Sequence, residues 1–514
     1  MMKKTILITA ITAILATPAI ADVLDPLTAS QRHQEAADYR INRANANFNN
    51  PPSQHLTNGD EYGVANFAGQ FHKTLPHDNN GVVDSAAYNK LRNAITEGTF
   101  EAFEQVPSGG SVKLANPLAA QVYDLEGRDS HDYATRAAPA LSSAEAAGEM
   151  VEVYAQALLR DVAFSDYVSD SNIAHAAGQL AGLTDFHGPT APAMLFRGVF
   201  EGDQVGPYIS QFLYKDVPVE GPKVVDQRYM GYKSGQNFMT SYSEWLNIQN
   251  GKKPTATVTT TPERYIVTGR DLARYVHKDF TYQAYQNAAL ILLGWGTNVW
   301  DDGNPYKTAA RQGAFIDMGA GEILDMVARA ANAGLRAAWF QKWNVHRRLR
   351  PEEYGGLAQN NPNLLHAQFK SSPILMKVRN QYSNSLLPMA YPEGAPTHPA
   401  YPAGHATISG ACATVLKAFF KEDAEIPSPV QPNYSGKALE AADEVLTVGG
   451  EINKLASNIS LGRDWAGVHY RSDGTDGLLL GEEVGISILK DWRNAHPKLP
   501  TLTLKKFNGE EIEI

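Results

Sequence analysis

The apolar residues of this chain recur with helical spacing over most of its length. In the segment SSAEAAGEMVEVYAQALLRDV, Ser142 and Glu145 match a capping box, and Met150 and Tyr154 lie on the apolar face that follows. The segment GEILDMVARAANAGLRAAWFQKWNVHRRLRP is rich in Ala, Leu and Arg, which predicts one helix that continues until Pro351. The chain is therefore expected to contain long helices with one apolar face.

Helical spacing also dominates the C-terminal part of the chain. Apolar residues recur at i, i+3, i+4 and i+7 between Ile408 and Phe419, and at every fourth position from Leu480 to Ile488. Alternating patterns typical of strands are scarce, and KPTATVTTTPERYIV is the clearest candidate for a short β-ribbon. We therefore expect an all-α fold class, a mainly helical protein with few short β-ribbons.

Four regions are expected along the chain. A basic start, an apolar run from Thr5 to Leu15 and small residues up to Ala21 are typical of a signal peptide, residues 1–21, cut after Ala21. The apolar run is shorter than the roughly 20 residues of a membrane anchor, so the protein is expected to be secreted or periplasmic. A helical region, 22–279, would wrap a catalytic helical bundle, 280–495, and 496–514 would form a C-terminal tail.

Composition narrows the class of protein. The chain has 514 residues, 43% of them hydrophobic, and 45 basic against 55 acidic residues, a formal net charge of −10. This balance indicates a globular protein and does not favour nucleic acid as a partner. The single cysteine, Cys412, cannot form an internal disulfide, and its apolar helical surroundings predict a core residue.

The first candidate for chemistry is the basic segment KWNVHRRLRP. On a continuous helix, Lys342, His346 and Arg350 would lie within roughly an 80° arc, with Lys342 and Arg350 about 12 Å apart along the axis. Their long side chains could then converge on one oxyanion. The alternative is a solvated basic helix end that faces its own C-terminal dipole.

The second candidate is the segment PTHPAYPAGHATISGACATVLKAFF. The amides around Gly404 would lie at a helix N-terminus, where free N–H groups and the helix dipole favour an anion. His405 begins this helix and could exchange a proton near neutral pH, and His398 precedes it by seven residues. A helix cap or a packing role is the alternative for either histidine.

The third candidate is the segment GRDWAGVHYRSDG, which contains Arg463, His469 and Asp473. If His469 and Asp473 lie one helical turn apart, the carboxylate can accept the Nδ1 proton, so that Nε2 serves as a ligand or a nucleophile. Alternatively, Asp473 caps the following helix and Arg463 pairs with Asp464. Together the three segments supply cations, a helix N-terminus and two histidines, a set that suits phosphate or vanadate as it becomes five-coordinate.

These motifs resemble a known superfamily, the vanadium-dependent haloperoxidases and the type 2 phosphatidic acid phosphatases. The shared signature is Lys…Arg-Pro, Pro-Ser-Gly-His and Ser-Arg-x5-His-x3-Asp. The sequence is most similar to the bromoperoxidase branch of marine algae and cyanobacteria, because seven residues separate Lys342 from Arg350 and His398 lies five before Ala403. Two positions depart from the signature, since Ala403 and Gly462 stand where it has serine.

The resemblance implies a role for each residue of the three segments. His469 would bind vanadium through Nε2, and Asp473 would orient it. His405 would be the acid–base residue for hydrogen peroxide, and His398 would lie close to peroxide and halide. The groups expected on the other vanadate oxygens are Lys342, Arg350, Arg463 and the Gly404 amide.

The resemblance also implies the activity and its partners. Vanadate would be the cofactor, and hydrogen peroxide would oxidise halide, bromide or iodide, to hypohalous acid, which reacts with a small organic acceptor. Gln341 and Trp343, beside the cations, are expected to influence the choice of halide. A homo-oligomer, a dimer or larger, is expected.

The segment WDDGNPY, Trp300–Tyr306, is a candidate calcium loop or an ordinary turn.

Two other functions remain open on the residues alone. One is a periplasmic acid phosphatase, in which His469 attacks phosphorus to form a phosphohistidine and His405 protonates the leaving group. The other is a non-catalytic periplasmic protein that captures an oxyanion, which has no need of two oriented histidines. Turnover with peroxide and halide would distinguish the haloperoxidase from both.

Overall fold

A computed structural model describes residues 24–514, so the predicted signal peptide lies outside the described residues. The described residues divide into two compact units, residues 24–50 and 51–514. The described part of the first unit contains helix α1, Ala29–Phe48, which begins with a capping box between Thr28 and Gln31. Within residues 24–514, no helix is long and apolar enough to cross a membrane.

The second unit is built mainly from helices, which confirms the predicted fold class. Its α-helices are α2 Asp60–Gly63, α3 Ser85–Glu97, α4 Phe100–Glu104, α5 Ala144–Leu159, α6 Ser171–Ala181, α7 Tyr242–Gln249, α8 Gly269–Tyr275, α9 Gln283–Gly294, α10 Ala320–Phe340, α11 Pro351–Asn360, α12 Ala367–Lys370, α13 Pro373–Tyr382, α14 Gly404–Phe419, α15 Val448–Ala466 and α16 Arg471–Ala495.

Strands are short and occur only as two-stranded antiparallel ribbons in the described part of the chain. They are β1 Val217–Glu220 with β2 Lys223–Val225, β3 Tyr229–Tyr232 with β4 Thr260–Arg264, β5 Val430–Pro432 with β6 Leu439–Ala441, and β7 Thr503–Lys505 with β8 Glu511–Glu513. The ribbon predicted within KPTATVTTTPERYIV is confirmed, because β4 lies in that segment and pairs with β3.

Helix α14 lies at the centre of the C-terminal bundle, packed against α10, α15 and α16. Its crossing with α16 is close because both helices have glycine at the contact. A Cβ added at Gly410 would lie 2.0 Å from the Leu478 carbonyl oxygen, and one at Gly481 would lie 2.0 Å from that of Thr407. Cys412 is fully buried in this helix, as predicted.

The prediction of one helix up to Pro351 is wrong. Helix α10 ends at Phe340 and continues as a π-helical turn, Gln341–His346, which Arg347 closes with a left-handed φ of 46°. Pro351 then begins α11 rather than ending a helix, since a proline at the first helical position needs no N–H partner. The N-cap of α5 is also one residue later than predicted, at Ser143.

Two apolar clusters hold the second unit together. The larger extends from Tyr133 to the C-terminal Ile514 and includes the bundle helices. The smaller joins Phe71, Tyr88 and Trp343. The C-terminal ribbon packs on α14, where Lys417 Nζ lies 4.5 Å from the centre of the Phe507 ring. The predicted division of the chain at residue 279 stays a prediction.

Candidate active site

Lys342 is fully buried in the π-helical turn that follows α10. Its ammonium donates to the carbonyl oxygens of Pro399 and Ala400 at 2.8 and 2.6 Å. An ammonium has three donors, so these bonds hold it against the loop that precedes α14 and leave one N–H. Burial and the neighbouring charge of Arg350 lower the pKa of Lys342 well below its usual range.

Arg350 joins the two histidine-bearing segments. It is the N-cap of α11, where its N–H donates to Glu353 Oε2 at 2.6 Å. Its guanidinium donates to the His398 carbonyl at 2.9 Å, and its nitrogens lie 2.9 Å from His469 Nε2 and 3.0 Å from His398 Nδ1. Burial, together with the charge of Arg463, lowers the pKa of Arg350 to about 10.

His469 is oriented by a buried carboxylate. It lies between α15 and α16, and its Nδ1 is 2.7 Å from Oδ2 of Asp473. The other oxygen of Asp473 accepts from Arg348 Nη1 at 2.8 Å, and Arg348 also pairs with Glu149 at 2.9 Å. Because the carboxylate must accept, Nδ1 carries the proton and Nε2 keeps its lone pair.

Asp473 serves both functions that the sequence left open. Besides accepting from His469, it lies at the third position of α16, and its Oδ2 accepts from the Tyr470 N–H at 3.3 Å. The cap positions the carboxylate one turn from the imidazole, so the local helix start and the orientation of His469 depend on the same side chain.

Arg463 approaches the cluster from α15. Its Nη1 donates to the Val276 carbonyl at 2.5 Å, and its Nε is buried without a hydrogen-bond partner. It does not pair with Asp464, whose oxygens are buried and unpartnered and whose pKa burial raises well above its usual range. The alternative of an Arg463–Asp464 pair is therefore wrong.

The N-terminus of α14 faces the same region. The helix begins at Gly404, as the sequence predicted, with Ala403 as its N-cap. The Ala403 N–H donates to the Asp473 carbonyl at 2.8 Å, which ties this start to α16. The first N–H groups of a helix have no acceptor within it. Ala403 is fully buried and provides no hydroxyl here.

His405 and Asp279 form a pair that sequence reasoning missed. His405 Nε2 lies 3.0 Å from Asp279 Oδ1, and the two side chains are 27% and 9% exposed. Burial of Asp279 opposes ionisation, but the charges of His405 and Arg463 lower its pKa overall. The imidazole is thus the partly exposed group of the site, held by a carboxylate 126 residues away in the chain.

His398 is buried beside Arg350 and faces a tryptophan that was not singled out in the sequence. Its ring centre is 4.6 Å from that of Trp339, one turn before Lys342. Trp343 instead packs edge-on against Phe71 at 5.9 Å, in the smaller apolar cluster. Trp343 is thus a packing residue of that cluster, and its influence on the choice of halide stays a prediction.

Two other residues of the π-helical turn, Gln341 and His346, form their contacts away from the cluster of Lys342, Arg350 and His469. Gln341 donates to the Tyr133 carbonyl at 2.7 Å. His346 Nε2 lies 2.9 Å from Thr135 Oγ1, and its ring contacts Tyr401 edge-on. Burial lowers the pKa of His346 to about 3. The predicted arc of Lys342, His346 and Arg350 is wrong because the π-helical turn and the left-handed Arg347 break the helix.

The composition of the cluster fits vanadate. The cations Lys342, Arg350 and Arg463 are all buried within electrostatic reach of one another, and Asp473 already pairs with Arg348. Burial and these cations hold the pKa of both His469 and His398 well below the usual range. Buried cations with an unpartnered guanidinium N–H favour an oxyanion, and a neutral imidazole nitrogen is a metal ligand.

The WDDGNPY segment forms a turn with its carboxylates engaged by protein groups. Asp301 Oδ1 accepts from the Gly303 N–H at 2.8 Å, and Asp302 pairs with Lys307 and Lys421 at 2.6 and 2.9 Å. This is the pattern of an ordinary turn, and a calcium ion there stays a prediction.

Known proteins resemble this chain over nearly its whole length. The family described as the VCPO second helical-bundle domain matches residues 326–496. A vanadium-dependent bromoperoxidase of Ascophyllum nodosum is 35% identical over 96% of this chain and 94% of its own. One of Corallina pilulifera is 33% identical over 94% and 98%. The homohexameric structure of the second vanadate-dependent bromoperoxidase of A. nodosum matches with a TM-score of 0.92 at 32% identity, covering 99% of this chain and 94% of that one.

Proposed function

The chain belongs to the vanadium-dependent bromoperoxidases, and on that premise we propose that it binds vanadate and oxidises bromide or iodide with hydrogen peroxide to hypohalous acid. The observation that carries this proposal is the contact of Arg350 with His469 Nε2 at 2.9 Å, within reach of the charges of Lys342 and Arg463. When bound, vanadate supplies a Lewis-acidic centre at which hydrogen peroxide is activated toward halide.

Each element of the cluster has a distinct task in this proposal. Lys342, Arg350 and Arg463, with the Gly404 amide, hold the negative oxygens and neutralise their charge. Asp473 keeps the proton of His469 on Nδ1, so that Nε2 can ligate vanadium. Arg348 and Glu149 hold that carboxylate in turn.

His405 acts as the acid–base residue that accepts the proton of hydrogen peroxide. It is the most exposed of the three site histidines, and its Nε2 lies 3.0 Å from Asp279 Oδ1. A base next to the entering peroxide accepts its proton, and the same group returns a proton to the departing oxygen. His398, which is buried against Trp339, is the residue that we propose contacts the peroxide and the halide.

A phosphatase on the same residues is not favoured. Its chemistry would use His469 as a nucleophile and His405 as the acid, so the geometry fits it, but the relatives that match most of the chain are named as bromoperoxidases. Capture of an oxyanion without turnover is also disfavoured, because it gives no reason for the pairing of His405 with Asp279.

One set of assays distinguishes the three functions. The purified protein is tested for triiodide formation and for bromination of monochlorodimedone with hydrogen peroxide, and for hydrolysis of p-nitrophenyl phosphate, each with and without added orthovanadate. Vanadate-dependent halide oxidation supports the proposal. Phosphate ester hydrolysis that vanadate only inhibits would reject it in favour of the phosphatase.

The variant His405→Ala separates catalysis from capture. It should keep vanadate affinity within about threefold, since the imidazole bonds to Asp279 rather than to the cations, and lose halide oxidation by roughly 10²–10⁴-fold. His175→Ala, an exposed histidine on α6, is the control and should change neither. Unchanged turnover in His405→Ala would remove the acid–base role.

We also propose the assembly, the acceptor and the location. The similarity to a homohexamer supports a homo-oligomer for this chain, and a small organic acceptor is expected because hypohalous acid halogenates electron-rich carbon. Sedimentation velocity tests the assembly. Secretion rests on the sequence of residues 1–21, and N-terminal sequencing of the exported protein should begin at Asp22.

A further inference from the structure

A cavity of about 460 Å³ lies beside Asp279, the partner of His405. It is formed by the ribbon β1–β2, the end of α8 and the start of α9. Its apolar lining includes Val217, Val219, Val225, Tyr229, Phe280 and Leu290. The volume is that of a site for a small organic molecule, for which 300–1,000 Å³ is typical.

The cavity borders the catalytic centre through one side chain. Asp279 lines it, and the same carboxylate lies 3.0 Å from His405. A second cavity of about 510 Å³ lies between α5 and α13, lined by Leu158, Val162 and Lys377 among others, and none of its lining residues belongs to the site. The two cavities are similar in volume, and the first differs from the second because it contacts the catalytic centre through Asp279.

The charged groups of the cavity favour an anion. Arg274 and Lys278 both line it. Arg274 Nε is buried without a hydrogen-bond partner, and its guanidinium lies over the Tyr232 ring at 5.4 Å, with no carboxylate pair in the described part of the chain. The acid in the lining, Asp279, is already engaged by His405. An unpaired guanidinium beside apolar walls suits a carboxylate or an enolate on an apolar body.

We propose that this cavity binds the organic acceptor of the halogenation, and that the acceptor is a small electron-rich aromatic or enolisable acid. Arg274 and Lys278 hold its anionic group, and the ribbon valines and Phe280 contact its apolar body. The assignment rests on the proposed function, because hypohalous acid formed beside His405 is the halogen source.

The reaction in the cavity is an electrophilic substitution. A carbon of the acceptor attacks the halogen of hypohalous acid, the carbon–halogen bond forms, and the halogen–oxygen bond breaks. The hydroxide that leaves takes the proton from the same carbon and becomes water. A bound acceptor should therefore be halogenated at one position with saturation, whereas a free one reacts in proportion to its concentration.

Binding is measured first, on the full-length chain in its native assembly and without halide or peroxide. By isothermal titration calorimetry, 4-hydroxybenzoate should bind the wild type, bind Arg274→Gln about 10-fold more weakly, and fail to bind Val225→Trp, which fills the cavity. Val225 is 53% exposed, so the larger side chain does not disturb the core. The matched controls Val162→Trp and Lys377→Gln, in the second cavity, should bind as the wild type does.

The neutral analogue 4-hydroxybenzamide tests the charge argument. It should bind the wild type about 10-fold more weakly than the acid and be insensitive to Arg274→Gln. Equal affinity of 4-hydroxybenzoate for the wild type and Val225→Trp, or no effect of Arg274→Gln, would overturn the assignment.

Turnover then connects the cavity to the reaction. Triiodide formation, which needs no organic acceptor, should be unchanged in Val225→Trp and Arg274→Gln. Bromination of 4-hydroxybenzoate should saturate in the wild type over the concentrations at which it binds and become linear in Val225→Trp. Linear bromination in the wild type would overturn the proposal. Absence of triiodide in the wild type would instead reject the halide oxidation itself, while the calorimetric result stood.

Discussion

The substitution Asp473→Asn tests whether the tautomer of His469 distinguishes vanadate from phosphate. Asp473 is fully buried, with Oδ1 at 2.8 Å from Arg348 Nη1 and Oδ2 at 2.7 Å from His469 Nδ1. An asparagine has one oxygen and one NH2 group in their place. Arginine only donates, so the amide oxygen is expected to face Arg348 and the NH2 group to face His469.

This arrangement inverts the tautomer of His469. Nδ1 must then accept from the amide, and the proton moves to Nε2, where it points at Arg350 Nη1, now 2.9 Å away. A protonated Nε2 cannot ligate vanadium. Loss of a carboxylate that orients a metal-bound histidine typically costs about 10–100-fold in affinity, and we expect a loss in that range for vanadate.

Phosphate should respond in the opposite direction. Phosphate is expected to bind through the cations alone, without the His469 lone pair. Removing the negative charge of Asp473, which stabilises the positive charge of Lys342 and Arg350, leaves more of their attraction for the anion. Phosphate affinity in Asp473→Asn is therefore expected to be unchanged or slightly higher than in the wild type.

Equilibrium dialysis of vanadate and of phosphate, each with the wild type and with Asp473→Asn, measures the ratio of the two affinities. The control is Asp476→Asn, one turn farther along α16, whose side chain accepts from Arg136 and Tyr401; it should leave both affinities unchanged. Circular dichroism checks that the variant folds. Equal losses for vanadate and phosphate, or an unchanged affinity for vanadate, would refute the reasoning from the tautomer.

Four further substitutions test other parts of the structure. Ala403→Ser restores the hydroxyl of the family signature and should tighten vanadate by roughly 2–10-fold, the effect of one hydrogen bond, as measured by dialysis. Trp339→Ala, which removes the ring against His398, should change the ratio of bromide to iodide oxidation, whereas Trp343→Ala should leave that ratio alone and lower the unfolding free energy by about 3–5 kcal/mol. Burial raises the pKa of Asp203 in the folded protein to about 7. The free energy of unfolding is therefore highest below pH 3.8, where Asp203 is protonated in both states, and it falls as the pH rises toward 7. Asp203→Asn should match the wild type in urea unfolding at pH 4 and exceed it by up to ~4 kcal/mol at pH 8; an equal difference at both pH values would contradict this.

The sequence by itself determined the candidate groups of the site and the helix start beside them. Gly404 begins α14, and Asp473 lies one turn after His469, because capping and helical spacing are local properties that neighbouring residues decide. The mainly helical fold followed from apolar periodicity for the same reason. The sequence also contained the cations Lys342, Arg350 and Arg463, whose charge indicated an oxyanion.

Only the tertiary structure decided how those groups are held and what surrounds them. The π-helical turn after α10 turns His346 away from Lys342. The spacing of apolar residues in the sequence does not indicate one extra residue in a helical turn. The partners Asp279 for His405 and Glu149 for Arg348 lie 126 and 199 residues away. Such pairs form because the whole core packs in one arrangement, in which buried charges must find partners, and that arrangement depends on contacts that local spacing does not encode.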